Sequence, residues 1–439
     1  MSSSKRTLAL LKGAAFCLAL MLVLSAVVIY LNVRGEDPIV SADAQATAPR
    51  PLPVSAEQLA QGRYLTQVGN CAGCHTRDGG APLAGGRGLA TPFGTVYSSN
   101  LTPDPATGIG RWSAAEFWRA MHHGRSNDGH LLTPVFPYAS YTHVTREDTN
   151  AIYAYLHSLP PVVRAQRAHA LRFPYNTQAA LAVWRALYFR AANPVATVDS
   201  TRSPEWSRGA YLARGLGHCV ECHSPRNALG ATSAGLELTG GGLSGQGWYA
   251  PSLASVQEAG VSHWRIEEVM QLLKTGRTAL ASVQGPMAEV VYGSTQHWND
   301  GDLLAISHYL RDLPQAPIKL AANAAHPAST GSVQGAELYE KHCVQCHGPQ
   351  GQGAVGAYPA LAGNRAVTMA RSDNLISIVR AGGFAPATAG NPRPYGMPPF
   401  RHIFTNAEIA AVVSYIRTAW GNQAPPVTEL EVLLLQAGE

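Results

Sequence analysis

Apolar residues recur at helical spacing in three segments of the same design: TREDTNAIYAYLHSLP, NDGDLLAISHYLRDLP and TNAEIAAVVSYIRTAW. Each opens on a cap residue with an acid three positions later: Thr145 with Asp148, Asn299 with Asp302, Thr405 with Glu408. That pairing satisfies free backbone N–H groups and suits the helix dipole, so each marks a helix start. Each also carries an aromatic at the same place, Tyr155, Tyr309 and Tyr415. Shorter helical stretches open the same blocks: AEQLAQGRYLTQVGN, SRGAYLARGLGH and GAELYEKH. A third set, RWSAAEFWRAMHHGR, HWRIEEVMQLLKTGR and SDNLISIVRAGG, lies between opening and closing helices. One pattern repeated three times predicts an all-α fold with tandem units at 55–160, 203–315 and 330–422, followed by a tail at 423–439.

Two regions break the repeat. Residues 1–35 hold an uncharged run from Gly13 to Leu31, preceded by Lys5, Arg6 and Lys12. Nineteen helical residues span roughly 28 Å, close to the apolar thickness of a bilayer. A positive flank stays cytoplasmic, which puts the rest of the chain outside. The alternative is a cleaved leader, with Ala42-Asp43-Ala44 as the cleavage site, but that site lies well beyond the apolar run. Residues 161–202 form a helical linker in which Trp184, Leu187, Tyr188 and Phe189 make an apolar face. It is too apolar to float free, and is expected to pack across units, on a partner or along a membrane surface. The second linker, KLAANAAHPASTGS, reads as extended.

Composition adds little to this organisation. A length of 439 residues suits about three domains, and a net charge of +5 without basic runs beyond the N-terminus gives no support to nucleic-acid binding. Charged residues are only 14%, which suggests that a partner, a cofactor or lipid covers much of the surface. The cysteines change the picture. Outside the N-terminal segment, where Cys17 sits, all six fall in three Cys-x-x-Cys-His motifs. These are Cys71/Cys74/His75, Cys219/Cys222/His223 and Cys343/Cys346/His347. Two thiols one helical turn apart can form thioethers to one haem, and the adjacent His reaches the iron, so the pattern points to three haems c. A zinc site would pair motifs and leave a third over, and a redox dithiol needs no His each time. Haem c also implies the outer side of a bacterial inner membrane.

Aligned on the middle helices, QGPMAEVVYGST and RPYGMPPFRHIF place Met287 and Met397 at equivalent positions, where a thioether would be the second axial ligand. The first block reads TPVFPYAS there, with Phe136 in the methionine position. A phenyl ring cannot bind iron. Either another side chain serves, with His130, His122 and His123 as candidates, or the site stays open. Met121 reads as helix core, and His122 and His123 read as a solvated helix end. His130 lies in the loop NDGHLL, which could reach in. The first haem should therefore differ in potential from the other two, since methionine ligation raises it.

Four blocks, FGTVYSSNLTPDPATGIGRWS, FPYASYTHVTREDTNAIYAYLHSLPPV, RSPEWSRGAYLARGLGHCVECHSPRNALG and STQHWNDGDLLAISHYLRDLP, resemble the triheme cytochrome c subunits of bacterial membrane-bound dehydrogenases. The resemblance covers roughly 55–422. It implies a periplasmic electron-transfer subunit that partners a quinoprotein, flavin or molybdenum dehydrogenase catalytic subunit and passes electrons to ubiquinone or a terminal oxidase. The alcohol dehydrogenase members carry Met where this chain has Phe136, and Phe there is similar to members that accompany molybdenum hydroxylases. An alternative reading is a haem enzyme that uses an open first site. No dinucleotide fingerprint, phosphate loop or Ser-His-Asp arrangement is visible, and the glycine-rich TGGGLSGQG lacks the phosphate-loop lysine.

Overall fold

The computed structural model describes residues 2–36, 54–192, 201–243, 245–315 and 331–437. The Ala42-Asp43-Ala44 site and most of the second linker lie outside these residues. A long apolar helix, α1 (Ser2–Val33), leads into three arrangements of helices. The first contains α2 (Ala56–Val68), α3 (Cys71–His75), α4 (Ala114–His123), α5 (Tyr138–Tyr141) and α6 (Arg146–His157). Then α7 (Gln178–Tyr188) leads to α8 (Pro204–Tyr211), α9 (Val220–His223), α10 (Ile266–Thr275), α11 (Pro286–Gly293) and α12 (Asp300–Arg311). The last comprises α13 (Gly331–His342), α14 (Val344–His347), α15 (Arg365–Thr368), α16 (Asp373–Ala381), α17 (Asn406–Thr418) and α18 (Glu429–Ala437).

The closing helices α6, α12 and α17 start where their caps say. The side chains of Thr145, Asn299 and Thr405 accept from the backbone N–H groups of Asp148, Asp302 and Glu408 at 3.2, 2.8 and 3.2 Å. Each closing helix crosses its opening helix at a glycine. A Cβ on Gly62, Gly209 or Gly335 would meet the carbonyl oxygen of Ala151, Ala305 or Ala411 at 1.9, 2.2 and 2.3 Å, with Tyr155, Tyr309 and Tyr415 close behind. The three equivalent tyrosines therefore flank the crossing points. Between Tyr211 and Cys219 a π-helical turn, Leu212–Leu216, accommodates one residue more than separates Tyr64 from Cys71.

The chain is not purely helical. Among the described residues three small antiparallel sheets sit in the loops between helices: β1 (Gly88–Thr91) with β2 (Gly94–Tyr97) and β3 (Ala170–Leu171), β4 (Gly241–Leu243) with β5 (Trp248–Ala250), and β6 (Gly383–Phe384) with β7 (Gly396–Met397). Strands of two to four residues carry too little alternation to show in a sequence pattern. The pairing of β3 with β2 ties the start of the 161–202 segment to the first arrangement, as does the Asn100 side chain donating to Val162 O at 2.7 Å.

The first two arrangements share one core. Leu65 and Val68 of α2, Tyr141, and Leu212, Leu216, Trp298 and Ile306 belong to a single buried cluster. The third has its own, built on Tyr339, Ile376, Phe400, Ile409 and Val413. The junction of the first two is reciprocal. Tyr64 on α2 donates to Asp302 on α12 at 2.6 Å, and Tyr211 on α8 donates to Asp148 on α6 at 2.5 Å. Each hydroxyl also accepts from the cap N–H of the other arrangement, Asn299 at 3.2 Å and Thr145 at 3.3 Å. The third arrangement has Glu337 where the first two have tyrosine, and Glu408 there caps its own helix. It docks on the second through Asn374, which exchanges hydrogen bonds with the Tyr249 backbone, and through Arg365, which donates to Glu258 O and Gly260 O.

Asp302 also holds Arg208 through bonds of 2.7 and 2.9 Å. Burial alone would raise its carboxyl, but Arg208 and Tyr64 outweigh burial and hold it below the usual carboxylate range. The folded state thus binds fewer protons there, so this stability is full above about pH 4 and is lost as pH falls through the folded pKa. Asp302→Asn is expected to cost about 1–2 kcal/mol near neutral pH. In acid denaturation the variant should lose part of the wild-type acid limb; an unchanged limb would contradict this.

Candidate haem-attachment sites

Each Cys-x-x-Cys-His segment forms a single helical turn, so its two thiols and its imidazole converge on one side. The imidazoles are held alike. Nδ1 of His75 bonds Ser99 O at 2.7 Å, that of His223 bonds Pro251 O at 2.7 Å, and that of His347 bonds Pro359 O at 3.0 Å. A backbone carbonyl on Nδ1 fixes the tautomer and leaves Nε2 as the free lone pair, the arrangement of a metal-ligating histidine. Burial lowers all three below the usual histidine range, against the pull of the carbonyl. They are therefore neutral near pH 7, as a ligand must be.

The thiols do not have the character of reactive groups. Burial pushes Cys71 and Cys219 up to about 12 and Cys343 up to about 11. A thiol-exchange site needs the opposite shift. All seven cysteines are free of disulfides, and among the described residues no cluster of His, Cys, Asp and Glu could hold a metal ion by itself. The donor set suits a group that brings its own iron and takes thioether bonds. Arginines brace two of the turns: Arg87 donates to Gly73 O and Arg226 to Glu221 O. The first two turns are neighbours. Burial raises the Cys222 thiol, Arg226 opposes, and Glu221 and Cys74 add to the rise. His218 and Asn70, each just before its motif, both adopt left-handed backbone, and the His218 ring reaches Gly69 O at 3.4 Å.

The two methionines are half-buried but sit in different local structures. Met287 is in the first turn of α11, behind Gly285, whereas Met397 ends strand β7 and packs on the core that also receives Cys343. Phe136 packs on the shared core with Cys71 and stacks edge-on to Tyr141 at 5.3 Å. The candidate histidines lie elsewhere. His130 is exposed and bonds Asp128. His122 and His123 are not a solvated helix end but buried, at 6% and 7% exposure. Trp118 stacks on His122 at 4.3 Å, and Arg185 donates to His123 O. The α4 face that shares the core with Cys71 and Phe136 carries Phe117 and Met121, a quarter-turn from His122. Residues 117 and 121 are a helical pair, so this division is geometric.

Two features of the site escape the sequence pattern. One is the carbonyl that holds each histidine, although a signal exists: Ser99, Pro251 and Pro359 each stand two residues before a leucine, Leu101, Leu253 and Leu361. The other is the tyrosine exchange between the first two arrangements, marked only by Gly-x-Tyr at 62–64 and 209–211.

The cytochrome c family model matches residues 59–160 and 332–420, with the turn around Cys219 between the two matches. The cytochrome c subunit of quinone-type alcohol dehydrogenase from Gluconacetobacter polyoxogenes is 37% identical over 86% of this chain and 83% of that protein. This chain belongs to the family of dehydrogenase cytochrome c subunits. The fructose dehydrogenase cytochrome subunit of Gluconobacter japonicus is 34% identical over 90% of this cytochrome and 86% of its own length. A nicotinate dehydrogenase subunit from Pseudomonas putida is 40% identical over 84% of the cytochrome, which spans only 31% of that longer protein. Membership of a cytochrome c family implies covalently bound haem c, which the thiol and imidazole geometry suits.

Proposed function

We propose that this cytochrome is a three-haem electron-transfer subunit, held by α1 in the bacterial inner membrane with its haem domains in the periplasm. It accepts electrons from a dehydrogenase catalytic subunit and passes them to ubiquinone or a terminal oxidase. The observation that carries this reading is the threefold recurrence of a Cys-x-x-Cys-His turn whose imidazole Nδ1 is tied to a backbone carbonyl. Haem c supplies a one-electron iron couple when bound. The chain's own residues would hold it: Cys71, Cys74, Cys219, Cys222, Cys343 and Cys346 would attach it, and His75, His223, His347, Met287 and Met397 would ligate its iron. The shared core and the Tyr64 and Tyr211 exchange make the first two sites a close pair, and the second unit bridges to the third.

The substrate-oxidising site belongs to a partner, of molybdenum, flavin or quinoprotein type. The names of the relatives support a dehydrogenase partner, and the six motif thiols and three motif imidazoles would be taken up by haem. The test is anaerobic titration of the cytochrome alone and in its native membranes. Substrate should reduce the haems only when the catalytic subunit is present. Reduction of the purified chain by substrate alone would instead favour a haem enzyme.

At the first site Phe136 occupies the methionine place, His130 is exposed, His122 is stacked on Trp118, and Arg185 holds the His123 carbonyl. We infer that this haem iron keeps an exchangeable sixth position. In the oxidised protein one haem in three is expected to be high-spin by EPR, and to bind CO once reduced. Phe136→Met should convert it to low-spin and raise its potential. Three low-spin, CO-inert haems in the wild type would contradict this and point to Met121, which shares that core.

A further inference from the structure

Helix α1 is exposed at every position from Leu10 to Val27. Those eighteen residues cover about 27 Å, the apolar thickness of a bilayer. Among the described residues the burial of α1 falls in its last turn, where Val28 and Leu31 are half-buried and Asn32 is buried. That contact is dense and polar. Asn32 donates to Ala182 O at 2.8 Å, and Arg185 donates to the Asn32 side chain at 2.9 Å. Arg125 bonds both Asn32 O and Glu36, each at 3.0 Å. The end of α1 is thus fixed to the segment just after α4 and to α7, and α7 is held at the depth where the membrane helix emerges.

At that depth α7 is two-faced. Ala182, Arg185, Ala186 and Phe189 face the body. A quarter-turn away, Ala179, Val183 and Leu187 form a continuous exposed apolar stripe, with Val183 at 48% and Leu187 at 59% exposure. Phe173, just before the helix, is 81% exposed. We infer that α7 is an interfacial helix, lying in the plane of the same bilayer leaflet surface with Val183, Leu187 and Phe173 inserted at the headgroup boundary. Such helices bury their apolar face roughly 5–10 Å into that boundary. The occupant is lipid, because the stripe is rigidly continuous with the contact that α1 makes as it leaves the membrane. The device fixes the height and tilt of the first haem site, which a single anchoring helix would leave free to swing.

This inference rests on α1 spanning the membrane, and the test separates the two. In a Cys17→Ser background, single cysteines replace Leu20, Val183, Leu187 or Val355, the last on the third arrangement. Each full-length, haem-loaded variant is labelled with bimane and placed in nanodiscs with or without nitroxide-bearing phosphatidylcholine. Lipid-borne nitroxide should quench positions 183 and 187 at least twofold more than position 355, and iodide should quench them less. Quenching at 20 with none above the 355 level at 183 and 187 would overturn the inference while leaving the anchor, and would assign the stripe to a protein partner. No quenching at 20 would overturn both.

Discussion

Replacing Met397 with alanine is expected to turn the third haem high-spin and CO-reactive and to lower its potential. Met397 ends β7, pairs with Gly383, and packs on the core that also receives Cys343 and Val344. His347, the proposed partner ligand, is braced through Nδ1 by Pro359 O. Removing the thioether would leave the iron without a protein donor from this position. Axial ligation sets haem potentials over about 0.8 V, so the loss should be a large fraction of the spread among the three sites. Met287→Ala should do the same at the second haem, although Met287 begins a helix instead of ending a strand. Spectra and potentiometric titration of the purified variants check this. If neither variant changes its spin state, the equivalence of the two positions is wrong.

The second large effect concerns the helix crossings. Gly62→Val, Gly209→Val and Gly335→Val are each expected to abolish stable, haem-loaded protein. A Cβ at these places would sit within 1.9 to 2.3 Å of a carbonyl oxygen on the closing helix. Each opening helix leads into its Cys-x-x-Cys-His turn, so a retreat would displace that turn. Overpacking typically costs about 1–3 kcal/mol, and a clash with backbone belongs at the upper end or beyond. Gly242→Ala is the control, since nothing lies within 4 Å of its Cβ position. Haem-stained gels of membranes should show the band lost in the three crossing variants and kept in the control. Normal haem content in Gly62→Val would show that the helices do not cross there.

Much of this was legible because the repeat is written in residue types with fixed jobs. The caps Thr145, Asn299 and Thr405 and their acids placed three helix starts, since an N-cap is a local interaction. The cysteine motifs placed three single helical turns for the same reason. What stayed hidden depends on distant contacts. The short strands β3, β6 and β7 exist only through pairing across loops. His122 and His123 looked like a helix end facing water, yet Trp118, Arg185 and the 161–202 segment cover them. The apolar face expected on that segment proved to be two faces, Phe189 inward and Leu187 outward. In the sequence Asp148 and Asp302 read only as cap partners, and their second role, accepting a tyrosine from the neighbouring unit, needed the structure.

On the proposed reading one chain carries three covalently attached haems. The most direct test is the intact mass of the denatured, purified protein, since thioether-bound haem survives denaturation. The expected mass is the polypeptide plus three haems, falling by one haem on Cys219→Ala with Cys222→Ala. A wild-type mass with two haems or fewer, under conditions that mature other cytochromes c, would contradict it.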